Sequence, residues 1–223
     1  MLVVFFGMFG FFFLNASLLQ YGRGFTVLQA GLGVLPMSAP LLIAARHVPR
    51  LVARTGNRAV LAAAFAAITV GLLGTASAIH QPYEVYAVWL VVLGVGITLA
   101  LPTLTITISA ALPPAKAGVA GGLQATTREF GSALGVAVIG TILTATFTHH
   151  AGGGVGTVAE ALGRAGADRR VVLSAYDASV RTALQIAAVI VLVAGVLVLA
   201  EMSWAARRRT PATGSGPAAV SRD

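Results

Sequence analysis

Two adjacent charged residues, Arg128 and Glu129, lie within a long apolar stretch of the sequence. Residues 118–147 otherwise contain no charged side chain, and a run this long and apolar is read as a membrane-spanning helix. A charge inside a membrane is costly and indicates function, such as contact with a substrate or, for the carboxylate, exchange of a proton. One alternative stays open, because residues 130–147 nearly span a bilayer by themselves. Both charges would then lie at the membrane boundary, where Arg128 can extend towards the headgroups.

Other polar side chains in apolar stretches extend this candidate pathway. Gln124 precedes Arg128 by four residues, so the two share one face of a helix. Asn15 and Thr103 are polar residues in two further apolar segments. Each of them could line a cavity or simply form a hydrogen bond between helices. The predicted substrate or proton pathway comprises Arg128, Glu129, Gln124, Asn15 and Thr103.

Two glycines on the Arg128 face predict close helix packing. Gly131 and Gly135 follow Gln124 and Arg128 at helical spacing and form a GxxxG pattern. Small residues at this spacing allow the backbone of a second helix to approach closely. The face that carries the candidate pathway is therefore expected to look towards other helices or a cavity.

The composition indicates an integral membrane protein. Hydrophobic residues make up 57% of the chain and charged residues 10%, against about 25% charged residues in soluble domains. We predict an all-α integral membrane fold, with a six-transmembrane-helix bundle over residues 1–206. Within it, residues 148–181 form an extracytoplasmic loop that could contain short surface helices. Residues 207–223 form a disordered cytoplasmic tail. The predicted spans are residues 1–20, 26–45, 59–79, 85–111, 118–147 and 182–203.

The basic residues predict the orientation of these spans. Arginine recurs every fourth residue from Arg46 to Arg58, and further basic residues are Lys116 and the run at 207–209. These positions lie on one side of the predicted bundle. The two short loops on the other side contain a single Lys or Arg residue, Arg23. Cytoplasmic loops carry the Lys/Arg excess. We therefore expect a multi-pass protein of the cell membrane with both termini in the cytoplasm.

Several classes of function are disfavoured by the sequence. The net charge of +8 is divided among connections and the tail, so it does not predict a nucleic-acid surface. The chain has no cysteine, which removes disulfides and thiolate chemistry. It also contains no phosphate-binding loop, zinc signature or hydrolytic motif. We expect no enzyme activity, no cofactor and no metal.

The arginine-rich connection resembles a family motif. The stretch PRLVARTGNR is similar to Gly-x-Leu-Ala-Asp-Arg-x-Gly-x-Arg of the major facilitator superfamily. Pro49 replaces the first glycine and Ala53 replaces the aspartate, which puts a charge-relay role for this loop in doubt. A role in gating and a plain topology signal both stay open. The matching positions are Leu51, Arg54, Gly56 and Arg58.

Further stretches extend the resemblance to the 14-helix drug:proton antiporters of the EmrB/QacA type. The helix junction LLQYGRGFTVLQAGLGVLPMSA and the segments VVLGVGITLALPTLT and GVAGGLQATTREFGSALGVAVIGTIL occur in the order typical of the C-terminal half. The resemblance implies multidrug efflux by alternating access, and hence antibiotic resistance, with an amphipathic or cationic small molecule, protons and the lipid bilayer as partners. An N-terminal six-helix half or a second copy would complete the transporter. The alternative is a non-transporting membrane fragment or an assembly or regulatory module.

Overall fold

A computed structural model describes residues 1–111, 113–150 and 169–208, and in these ranges the chain is helical without strands. The helices are α1 Leu2–Ser17, α2 Val27–Leu32, α3 Leu35–Ala44, α4 Val48–Thr55, α5 Asn57–Ser77, α6 Tyr83–Ala110, α7 Ala117–His150 and α8 Arg169–Arg208.

The helices provide six stretches that are long and apolar enough to cross a membrane in the described part of the chain. The shortest has 21 residues, which at a rise of 1.5 Å per residue covers about 31 Å, close to the apolar thickness of a bilayer. α1 reaches this length because the π-helical turn Leu18–Gly22 continues it. The predicted all-α membrane fold with six spans is confirmed.

The second span is broken, although its sequence predicts one helix over 26–45. α2 begins with a capping box in which the Thr26 hydroxyl accepts from the Gln29 backbone N–H and the Gln29 side chain accepts from the Thr26 N–H. α3 begins at Leu35, with Pro36 in its first turn. Proline is tolerated there because the backbone N–H groups of the first turn have no acceptor within the helix. The expected connection Arg46–Arg58 is largely helical, because α4 occupies Val48–Thr55.

Helices α7 and α8 extend beyond their predicted bounds. α8 begins at Arg169, well before the predicted residue 182, and α7 continues to His150. Hydropathy missed the start of α8 because residues 169–181 are polar on one face, while Tyr176 and Val180 on another face are fully buried. Part of the predicted loop 148–181 is therefore helix. The surface helices were expected over residues 158–180, of which 169–180 belong to α8, whereas residues 158–168 and the tail at 209–223 lie outside the described residues.

Close backbone contacts hold the bundle together. A Cβ added at Gly71 in α5 would lie 2.8 Å from the Cα of Leu93 in α6, and one added at Gly94 would overlap the Met37 backbone of α3. Buried side chains of α1, α5, α6, α7 and α8 form one hydrophobic cluster. α6 thus lies between α3 and α5, at the separation that only small residues permit.

The predicted packing glycines lie against α1. A Cβ added at Gly131 would stand 2.5 Å from the carbonyl oxygen of Leu2, and one added at Gly135 would overlap the carbonyl oxygen of Phe6. The phenylalanines of α1 are spread around the helix, so that Phe11 is buried whereas Phe13 is 37% exposed. α1 is consequently anchored to α7 through backbone contact rather than through one aromatic stripe.

Candidate functional site

A cavity of about 390 Å³ opens between α1, α6 and α7. Gln124 and Arg128 of α7 line it together with Thr105 of α6, and Phe5 and Leu101 supply apolar walls. Its volume falls within the range of about 300–1,000 Å³ that is usual for small-molecule pockets. Two of the five predicted pathway residues therefore share one amphipathic cavity, which we call the α7 cavity.

The position of the α7 cavity along α6 can be measured from the start of that helix. Leu101 and Thr105 come 18 and 22 residues after Tyr83, the first residue of α6, so they lie ~27 and ~33 Å along the helix. The apolar core of a bilayer is ~30 Å thick. Because α6 has 28 residues, or about 42 Å, the cavity lies in its second half, and the boundary and midplane positions of Arg128 both stay open.

Arg128 and Glu129 form an exposed pair. An Nη2 atom of Arg128 lies 3.2 Å from Oε1 of Glu129, and the two side chains are 54% and 70% exposed. Exposed ion pairs contribute ~0–1 kcal/mol to stability, so both groups are available to a ligand at little cost. Glu129 does not line the α7 cavity.

Thr103 and Asn15 lie apart from the α7 cavity. Thr103 is fully buried, and its hydroxyl donates to the Leu99 carbonyl at 2.7 Å within the same helix. Asn15 is buried near the opposite end of the bundle, where its Oδ1 accepts a hydrogen bond of 2.6 Å from the Tyr86 hydroxyl. The five predicted residues thus do not form one site, and for Asn15 the interhelical hydrogen bond is the observed role.

A polar cluster that the sequence did not predict lies at the end of the bundle opposite to the arginine-rich α4. We call it the Arg23 cluster; it comprises Asn15, Arg23, His80, Tyr86 and Asp177. The Arg23 guanidinium lies 5.0 Å from the centroid of the Tyr86 ring, a cation–π geometry. Its Nη2 donates at 2.9–3.1 Å to three carbonyl groups beyond the end of α5, those of Ala78, Ile79 and Gln81.

Helix α8 contributes a carboxylate to the same cluster. Oδ2 of Asp177 lies 3.6 Å from Nδ1 of His80. Within the described residues, Oδ1 of Asp177 and Nε of Arg23 are buried without a hydrogen-bond partner. The one sequence feature that could have indicated this cluster is Arg23, because it is the single Lys or Arg residue in the two short loops on this side of the bundle. Its partners were not predictable, because they lie more than fifty residues away in the sequence.

The family-like loop motif forms the turn between α4 and α5. Gly56 adopts φ 82° and ψ 153°, a conformation in which a side chain would be strained, and Arg54 and Arg58 are exposed on either side of it. The next residue, Asn57, donates a 2.9 Å hydrogen bond to the Thr107 hydroxyl near the end of α6. Gly56 therefore sets the angle between α4 and α5, and Asn57 attaches the turn to the bundle.

A bundle of membrane-length helices with an amphipathic cavity defines a multi-pass membrane protein, with a geometry suited to small-molecule binding. The sequence model described as Major Facilitator Superfamily matches residues 1–136. The chain belongs to this family, as its motifs predicted.

Named relatives refine this assignment. The chain is 35% identical over 142 residues to the multidrug resistance protein Stp of Mycobacterium tuberculosis, a match that covers 64% of this chain and 26% of that protein. It is 34% identical to the methylenomycin A resistance protein of Streptomyces coelicolor, over 63% of this chain and 30% of the relative. It is 30% identical to the multidrug efflux pump LfrA of Mycolicibacterium smegmatis, over 63% of this chain and 28% of that protein. The matched part thus spans between a quarter and a third of each relative.

Proposed function

We propose that this chain is the C-terminal half of a drug:proton antiporter that exports small molecules across the cell membrane. The α7 cavity is the observation that carries the proposal, because it combines apolar walls with the Gln124 amide and the Arg128 guanidinium. Such a cavity suits an amphipathic ligand whose polar group is held while its apolar part packs against Phe5 and Leu101. The names of the relatives, which include drug resistance and efflux, support the same class of substrate.

Alternating access requires a second wall for this cavity. In such transporters one bundle moves against another with the substrate between them. α7 offers a surface for that partner, since Leu123, Phe130 and Leu134 are all more than 40% exposed. The proposed partner is an N-terminal six-helix half, or a second copy of this chain. The family and the α7 cavity support a transporter rather than an enzyme.

The orientation and the energy source are further parts of the proposal. The excess of basic residues on the side of α4 supports cytoplasmic termini. Proton antiport is proposed from the antiporter resemblance. The proton-carrying group is best sought where the two halves meet, and Glu129 is one candidate, because it is 70% exposed in this half on the helix proposed to face the partner.

The test is efflux of a cationic dye, ethidium, from cells that lack their own efflux pumps. We expect no efflux above background when residues 1–223 are expressed alone. Efflux should appear when the chain is joined to an N-terminal six-helix half encoded upstream, and it should stop when a protonophore collapses the proton gradient.

Absence of efflux from a well-expressed complete protein, across a panel of cationic and neutral drugs, would favour the alternative of a non-transporting module. Efflux by the isolated chain would contradict the half-transporter proposal, unless crosslinking showed a homodimer that supplies both walls.

A further inference from the structure

A second cavity, of about 380 Å³, lies at the arginine-rich end of the bundle between α4, the end of α3 and α6. We call it the basic cavity. Its polar lining consists of three basic side chains with no acidic side chain, and its other walls are apolar. The residues that matter for its chemistry are His47, Arg50, Arg54, Val48, Leu51 and Leu99.

The amphipathic character of α4 places these basic groups. Val48 and Val52 are buried and pack with Val60 and Leu99, so one face of α4 is fixed to α5 and α6. Arg50 and Arg54 are four residues apart and therefore project from one side of the helix, where both are exposed. The orientation of the two arginines is thus set by the buried valines.

The positive charge of the basic cavity is not neutralised by any ion pair among the residues that the structure describes. The ion pairs within residues 1–111, 113–150 and 169–208 join His80 to Asp177 and Arg128 to Glu129, and neither involves α4. Two guanidinium groups and an imidazole beside an apolar wall leave several N–H donors to be satisfied from outside the chain. An anion with several acceptor oxygens meets this need, and a guanidinium fork matches the geometry of a phosphate.

The position of the cavity indicates where such a phosphate would come from. Leu99 is 16 residues after Tyr83 along α6, or ~24 Å, which is close to the end of a ~30 Å apolar core. The neighbouring end of α3 exposes Leu42 and Ile43, which are 83% and 70% accessible. Basic groups at headgroup depth next to exposed apolar side chains are complementary to an amphipathic anion.

We propose that the basic cavity binds an anionic phospholipid, whose headgroup phosphate is held by Arg50, Arg54 and His47 while its acyl chains lie along Leu42 and Ile43. Juxtamembrane Lys/Arg clusters attract anionic lipids, and this cavity adds a defined pocket and an adjacent apolar surface. A lipid bound in this way attaches α4 to the end of α3. This site is distinct from the α7 cavity, and its occupant is independent of any transported substrate.

Native mass spectrometry of the purified full chain tests the proposal. The protein in a neutral detergent is titrated with dioleoylphosphatidylglycerol or with dioleoylphosphatidylcholine, and the retained lipid is measured. We expect one phosphatidylglycerol to be retained in preference to phosphatidylcholine. Arg50→Gln with Arg54→Gln should weaken phosphatidylglycerol binding about tenfold or more, since hydrogen bonds to charged groups are lost.

The matched control is Arg46→Gln with Arg58→Gln, which removes the same charge from the same segment but leaves the lining of the basic cavity intact. It should retain phosphatidylglycerol as the wild type does. If the first double variant does not fold, Arg54→Lys serves instead, since it keeps the charge but loses the forked geometry and should weaken binding.

Three results would overturn the proposal. They are equal retention of the two lipids by the wild type, equal loss of phosphatidylglycerol in both double variants, and displacement of the lipid by millimolar inorganic phosphate, which would indicate a site for free anions. Because lipid retention is measured without transport, a negative result leaves the proposed efflux function untouched, and failed efflux leaves the lipid site untouched.

Discussion

The guanidinium group of Arg23 lies over the ring of Tyr86, whose hydroxyl in turn donates a hydrogen bond to Asn15. These contacts join the end of α1 to the start of α6. The same arginine donates to carbonyl groups that follow α5, groups that every helix end leaves without intrahelical donors. One side chain thus fixes three helices at this end of the bundle.

Arg23→Ala should destabilise the chain by at least about 2 kcal/mol, because hydrogen bonds to a charged donor are worth ~1.5–3 kcal/mol each. Unfolding in mixed micelles of increasing dodecyl sulfate content, followed by circular dichroism, measures the loss. Arg128→Ala is the control, since its exposed ion pair should contribute less than about 1 kcal/mol. Equal losses in the two variants would contradict the role of Arg23.

The buried hydrogen bond between Tyr86 and Asn15 can be tested by a double-mutant cycle. Tyr86→Phe should cost ~1–3 kcal/mol, because it leaves the buried Asn15 carbonyl without its donor. Asn15→Leu should cost less when Tyr86 is already Phe than when Tyr86 is intact. Unfolding free energies of the four proteins give the coupling energy, and strictly additive losses would show that the two groups do not interact.

The contact between α1 and α7 makes Gly135 sensitive to size. A Cβ there would overlap the Phe6 carbonyl oxygen, whereas a Cβ at Gly122 in the same helix has nothing within 4 Å. Gly135→Val should therefore cost ~1–3 kcal/mol from overpacking, and Gly122→Val should be nearly neutral apart from helix propensity. The same micelle unfolding assay compares the two, and an equal effect would mean that α1 does not pack on this face.

The six-span topology predicts opposite locations for the two ends of α5. Reporter fusions after Arg58 and after Gln81 should be active on different sides of the membrane, with Arg58 in the cytoplasm because the basic residues lie on its side. Alkaline phosphatase and a fluorescent protein are suitable paired reporters. Reports from the same side would eliminate α5 as a membrane span.

Arg128 and Glu129 should behave differently in a complete transporter. Arg128→Ala should raise the KM for efflux, because Arg128 lines the α7 cavity. Glu129→Gln should leave KM unchanged but weaken proton-driven efflux, because this carboxylate lies outside that cavity and is 70% exposed on the helix proposed to face the partner half. Measured rates with and without a proton gradient separate the two effects. Unchanged coupling in Glu129→Gln would remove this residue from the proposed proton pathway.

The spans were predictable because hydropathy reports directly on membrane insertion. The helical packing face of Gly131 and Gly135 was also visible, since spacing alone places residues on one side of a helix. The break between α2 and α3 had a sequence signal in Pro36, which lies in the first turn of α3. The early start of α8 was not visible, because it depends on packing: Tyr176 in that early part of α8 is fully buried. The grouping of Arg23 with Tyr86 depends on how distant segments meet, which no local pattern encodes.

The long sequence separation within the Arg23 cluster has a consequence for biosynthesis. The last carbonyl partner of Arg23, that of Gln81, is 58 residues downstream. At synthesis rates of about 5–20 residues per second, Arg23 waits roughly 3–12 seconds for it. The neighbours of α1 at Gly131 and Gly135 are made later still. α1 therefore lacks these contacts until α7 is made, and chains that stop before Gly131 would lack the close backbone approach that holds α1 against α7.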